Sequence, residues 1–199
     1  MNENRNAIEV SKREHTEKTT RKYDKSLFDP NSPYTKRHHL LLDEGIDLIA
    51  HLKPGEILTI GDNVGRDAAY MKKVFPSAHC IASDLESTHL REAAHEGWFD
   101  YGQAIDVENI PYPDCSVDIV AAKESFHHWP RPMLGLYEML RVARRCVLLI
   151  EPNDTTRQVA TLDEMASNYK DGYEKYGNYK YLISPREIVK ACWAMYLPG

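Results

Sequence analysis

Two glycines in a turn, an acid closing the next apolar run and a pair of adjacent histidines are the residues of this chain with the most chemical capacity. The run Ile57-Leu58-Thr59-Ile60 passes directly into Gly61-Asp62-Asn63-Val64-Gly65-Arg66-Asp67, a turn that opens a helix. Glycines there admit a ligand close to the backbone, and Asn63 is the non-glycine residue best suited to a left-handed conformation. Asp84 ends the following apolar run about 20 residues on, where a carboxylate accepts hydrogen bonds from the two hydroxyls of a ribose. Turn and acid together indicate a nucleoside. A dinucleotide's pyrophosphate would face Asp62 and Asp67, and Arg66 replaces the third glycine of a dinucleotide turn, although that arginine would also neutralise a phosphate. A ligand carrying sulfonium and ammonium groups suits the carboxylates better.

Further along stands Glu124-Ser125-Phe126-His127-His128-Trp129, just past an apolar run. A histidine at such an edge takes a proton from an acceptor oxygen near neutral pH; packing or hydrogen bonding in the core is the plainer role. Adjacent histidines do not converge on one ion as an i, i+4 pair does, so Glu124, His127 and His128 are not read as a metal site. Tyr34-Thr35-Lys36-Arg37-His38-His39 reads first as a solvated helix face, with Arg37 meeting a ligand carboxylate as the sharper alternative.

These residues need elements to hold them, and the chain alternates short apolar runs with helical stretches, the pattern of a mostly parallel sheet covered by helices on both faces. The strands expected are Glu56 to Ile60, His79 to Ser83, a weaker one near Phe99 to Ile105, Val117 to Ala122 and Cys146 to Glu151. Helices are expected from Arg66 to Phe75, Ser87 to Gly97 and Arg131 to Ala143. An earlier helix begins at Ser32-Pro33, an N-cap followed by proline at the first helical position, with Leu41, Leu42, Gly45, Leu48, Ile49 and Leu52 on one face. Ser184-Pro185-Arg186-Glu187 is a capping box opening a last helix. Thr155 to Lys180 is polar, Tyr-rich and leans helical.

Ile105-Asp106-Val107-Glu108-Asn109-Ile110-Pro111-Tyr112-Pro113-Asp114, then Ser116-Val117-Asp118-Ile119-Val120, Arg141-Val142 and Ile150-Glu151-Pro152 follow in order. From about Lys53 to Asn153 the chain resembles the class I S-adenosylmethionine-dependent methyltransferases, specifically the small-molecule type related to ubiquinone and menaquinone biosynthesis enzymes. The resemblance implies a Rossmann-like, doubly wound α/β sheet of strand order 3-2-1-4-5 and transfer of a methyl group from S-adenosylmethionine to a small-molecule acceptor. It implies that Gly61, Asp62, Asn63 and Gly65 cradle the methionine part of the cofactor. Asp84 with neighbouring Leu85 would hold the ribose, Asp106 the adenine amino group with Val107 beside the ring, and Lys123 the cofactor's edge. His127 and His128 would lie next to the transferred methyl as the catalytic candidates. Two positions depart from the family: Thr59 stands where an acid is usual, and Asn63 where a middle glycine is usual. An NAD(P)-dependent oxidoreductase and a non-catalytic methyltransferase-like binding protein are the rival readings.

The 199 residues suit one domain. They divide into a polar arm over 1–32, the cofactor-binding core over 33–153 and a helical segment over 154–199. A solvated tail is the ordinary expectation for the arm, and a flap over the site the functional one. The net charge of −5 (25 Lys plus Arg against 30 Asp plus Glu) offers no positive field for nucleic acid, and no apolar run suits a membrane. The polar start and four cysteines without a C-x-x-C pair point to a reducing cytoplasm with free thiols. The family's last two strands are not evident, so a truncated chain or a second subunit, as in a homodimer, is expected to cover the edge of strand five.

Overall fold

The computed structural model describes residues 23–152 and 181–195, together with Glu9, Lys12 and Arg13. The stretch Thr155 to Lys180, most of the arm and the chain's last residues lie outside the described residues, and with them the expectation of missing strands.

Five strands form one sheet: β1 (Glu56–Ile60), β2 (His79–Asp84), β3 (Tyr101–Ala104), β4 (Val117–Lys123) and β5 (Ala143–Ile150). Their order is β3-β2-β1-β4-β5, and every pairing is parallel. The central strand pairs Leu58 with Ile81 on one side and with Val120 on the other. Strands buried on both faces read as unbroken apolar runs, which is why β1, β2 and β4 stand out in the sequence. The α-helices whose bounds fall within the described stretches are α1 (Pro33–Ile49), α2 (Arg66–Val74), α3 (Thr88–His95), α4 (Pro132–Val142) and α5 (Pro185–Ala194).

Alternation along each strand sends neighbouring side chains to opposite faces and so builds two cores. Ile57, Cys80, Ala82, Ile119 and Ala121 pack with Leu42, Ile46 and Ile49 of α1, Ala68 and Met71 of α2, and Leu90 and Ala93 of α3. Leu58, Ile60, Ile81, Val120 and Ala122 pack with Leu136, Met139 and Val142 of α4, and Ile183 and Ala191 join them from the α5 region. The doubly wound arrangement is therefore the one expected.

Local chemistry sets the ends. Ser32 Oγ accepts from Thr35 N at the start of α1, with Pro33 at the first position. The capping box of Ser184 and Glu187 forms at the start of α5. The buried face of α1 differs from the expected one: Thr35, His38, Leu42, Gly45, Ile46 and Ile49 face inward, while Leu48 is 73% exposed. At roughly 100° per residue, Leu48 falls outside the arc centred on Leu42 and Ile49, and Ile46 falls within it. Several expected ends also shift by one to three residues, with Lys123 closing β4 rather than following it.

Candidate active site

The carboxyl ends of β1, β2 and β4 open onto a cavity of about 460 Å³, with α1 on one side and the turn after β3 on another. Ligands of parallel α/β sheets bind at this edge, and the volume suits a nucleoside-sized molecule. Ten of the eleven residues singled out for the site line it: Gly61, Asp62, Asn63, Asp84, Leu85, Asp106, Val107, Lys123, His127 and His128.

Gly65 is the exception. It has φ +87° as the N-cap of α2, and a Cβ there would stand 2.3 Å from Phe99 Cε1, so packing against Phe99 needs a residue without a side chain. Gly61, at φ +66°, lies against the β4 turn; an added Cβ would be 2.7 Å from Ser125 Cβ. Asn63 takes the left-handed conformation anticipated for it, with φ +52°.

Thr59 Oγ1 donates to Asp62 Oδ2 at 2.8 Å, and Asp62 also accepts from the backbone N–H groups of Asp67 (3.0 Å) and Ala68 (2.8 Å). Asp62 thus caps α2, where its charge also meets the positive end of the helix dipole. Asp67 is buried beside it; burial and then the Asp62 charge push the Asp67 carboxyl up to about 8. Lys123 Nζ approaches Asp67 Oδ1 at 3.4 Å and His38 Nδ1 at 2.5 Å. Burial, and next the Lys123 charge, lower the His38 pKa to about 4. The ring is accordingly neutral, accepts at Nδ1 from the ammonium, and carries its proton on Nε2.

At the other end of the cavity, Asp84 Oδ2 accepts from Asn63 N and Oδ1 from Leu85 N, both at 2.7 Å, so the carboxylate ties the first turn to the second. Asp106 caps the short 3-10 turn Val107–Asn109 through Glu108 N. Its other oxygen receives Lys12 Nζ at 2.6 Å, and the same ammonium bonds Glu108 at 2.7 Å. Burial opposes the charge on Lys12, but these two carboxylates hold its pKa above the ordinary range. Lys12 therefore docks on the cavity wall, which departs from the solvated-tail expectation at that residue.

After β4, Glu124 adopts φ +50° and turns the chain into Phe126–His128. Phe126 is fully buried and anchors the turn. Glu151, directly after β5, accepts from Ser125 N (2.7 Å) and Phe126 N (2.8 Å) and meets His127 Nδ1 at 2.5 Å. The His127 and His128 rings lie 4.1 Å apart, centroid to centroid. Arg37 leaves the cavity and pairs with Glu124 at 2.7 Å, while Tyr34 and His38 of the same helix line it. Sequence reasoning missed Glu151 and His38 as site residues. The rule that strand carboxyl ends bear ligands applies to Glu151 as it did to Asp84.

Residues 58–150 match the family model described as a methyltransferase domain. No curated protein matches the chain in sequence. Among solved structures, a candidate methyltransferase from Bacillus halodurans superposes with a TM-score of 0.61 at 18% identity, over 77% of this chain and 67% of that one. The YcgJ protein of Bacillus subtilis gives 0.55 at 21% identity over 76% and 67%. A SAM-dependent methyltransferase from Aquifex aeolicus gives 0.55 at 20% identity over 87% and 88%. At such identities these likenesses speak for the fold alone. Residues 58–150 thus match a methyltransferase domain, and the fold that holds them is shared with these structures.

Proposed function

We propose that the cavity is where S-adenosylmethionine and a small-molecule acceptor meet, with the glycine turn, Asp84 and Asp106 as the cofactor's contacts and His127 and His128 beside the acceptor. The observation that carries this is the convergence of all three carboxyl-edge features, Gly61-Asp62-Asn63, Asp84-Leu85 and Asp106-Val107, on one cavity. The fit has a second support: among the described residues, His38 Nε2 and Asn63 Oδ1 are buried without a hydrogen-bond partner. A bound ligand would satisfy such groups, whose isolation otherwise costs about 1–3 kcal/mol each.

The cofactor, when bound, supplies an electrophilic methyl group on a sulfonium. The chain's own residues then have four tasks. Asp84 and Asp106 hold the ribose hydroxyls and the adenine amino group as acceptors. His38 Nε2–H and the Lys123 ammonium, both lining the cavity, would be the donors to the carboxylate of its amino-acid end. Asp62 places negative charge at the turn that would repel a pyrophosphate, which disfavours a dinucleotide. Alignment of the acceptor and exclusion of water complete the requirement, since in-line displacement needs no covalent enzyme intermediate.

Backbone amide NMR tests this reading by location. Titration with S-adenosylhomocysteine should shift the Gly61, Asn63, Leu85 and Val107 amides together and saturably. Shifts confined to another surface, or the same shifts with NAD and none with S-adenosylhomocysteine, would overturn it.

A further inference from the structure

We propose that Glu151 is a positioning residue that fixes His127 as the cavity's proton acceptor, serving a methyl acceptor whose attacking atom carries a proton, such as the hydroxyl of a phenol or enol. This rests on the reading of the cavity as the place of methyl transfer.

The Glu151 side chain is only 4% exposed, and its two oxygens have different work. One accepts the backbone N–H groups of Ser125 and Phe126 and so fixes the carboxylate against the turn; the other faces His127 Nδ1 at 2.5 Å. A carboxylate only accepts, so the ring must carry a proton on Nδ1. In the neutral ring Nε2 is then unprotonated, and His127 lines the cavity. The pairing does for His127 what a carboxylate does for the histidine of a catalytic triad: it selects the tautomer and supports the imidazolium that forms. The other titratable side chain in ring contact with His127 is His128.

The step balances. The acceptor's hydroxyl proton passes to His127 Nε2 as its oxygen lone pair forms the bond to the methyl carbon. The bond from that carbon to sulfur breaks with its electron pair remaining on sulfur. The positive charge leaves the sulfonium and appears on the imidazolium next to Glu151, which later releases the proton to water. A neutral hydroxyl oxygen is a weak nucleophile and gains most from such a base, whereas an amine reaches its nucleophilic form by losing a proton to solvent beforehand.

The test is nitrogen NMR of ¹⁵N-histidine-labelled full-length protein without cofactor, between pH 7 and 9, with His127→Gln assigning the signal. The wild type should show a neutral ring protonated on Nδ1. In Glu151→Gln the side-chain carbonyl can keep both backbone bonds while its amide donates to Nδ1, so the proton should move to Nε2. A wild-type ring protonated on Nε2, or on both nitrogens above pH 8, overturns the proposal, as does a Glu151→Gln spectrum unchanged from wild type. The wild-type spectrum is decisive even if the variant fails to fold. Because no cofactor is present, the result is independent of whether S-adenosylmethionine binds.

Discussion

Thr59 Oγ1 donates to Asp62 Oδ2 at 2.8 Å, and that bond ties a hydroxyl on the central strand to a carboxylate in the following turn. Asp62→Ala strands the N–H groups of Asp67 and Ala68 in a buried helix start and should cost about 2 kcal/mol, or roughly 4–8 °C in melting temperature. Restoring an acid by Thr59→Asp should also destabilise, because two carboxylates would then face each other out of water. A Thr59→Asp variant as stable as wild type in thermal denaturation would contradict this account of the turn.

Asp67 and His38 give opposite pH signatures. The Asp67 carboxyl is raised in the folded state to about 8, so its stabilising contribution is complete below the unfolded pKa near 3.8 and is lost as pH rises towards 8. The His38 ring is lowered to about 4, so its contribution is complete above 6.5 and is lost as pH falls towards 4. Between pH 6.5 and 8 only Asp67 acts of the two. Asp67→Asn should therefore remove a decline in stability over that interval and melt above the wild type at pH 8 by at least about 2 °C. Parallel melting curves for the two proteins from pH 6.5 to 8 would show that Asp67 titrates normally.

Gly61 and Gly97 both have positive φ, but their surroundings differ. A Cβ at Gly61 would be 2.7 Å from Ser125 Cβ, whereas nothing lies within 4 Å of one at Gly97. Gly97→Ala should cost about 1–2 kcal/mol from conformation alone. Gly61→Ala should cost more, because the β1 turn must also move away from the β4 turn. Urea denaturation of the two variants distinguishes them, and equal losses would mean that the close approach at Ser125 is relaxed without cost.

Asp84→Ala removes the acceptor for Asn63 N and Leu85 N as well as the ribose contact. It should weaken S-adenosylhomocysteine at least about 10-fold, the loss of roughly one charge-assisted hydrogen bond. Arg37→Ala removes only an ion pair whose arginine is 60% exposed. It should leave that affinity within about 2-fold and stability within about 1 kcal/mol. Calorimetry checks both, and matched losses would deny Asp84 its place.

The sheet was legible in the sequence because a strand buried on both faces has little choice but to be apolar, and Ile57–Ile60 and Val117–Ala122 obey that rule. β3 was the weakest strand to read, since Tyr101-Gly102-Gln103-Ala104 offers no such run at a sheet edge. The site residues on turns adjoining the central strands could be found because topology fixes where those turns go. Glu151 could not be given its role in the same way. Its carboxylate reaches the β4 turn only because Lys123 pairs with Ile150 across β4 and β5, a register no local pattern encodes. The packing of Gly65 against Phe99 was hidden for the related reason that the two are distant in sequence. Lys12 is one of several lysines in a polar arm, and only the fold brings Asp106 and Glu108 to it.

The central claim is that this cavity holds S-adenosylmethionine, and calorimetric titration of the wild-type protein tests it most directly. One equivalent of S-adenosylmethionine, and likewise one of S-adenosylhomocysteine, should bind saturably, with NAD(H) giving no heat at the same concentrations. Absence of binding by both at millimolar concentration, or a preference for NAD(H), would contradict the account.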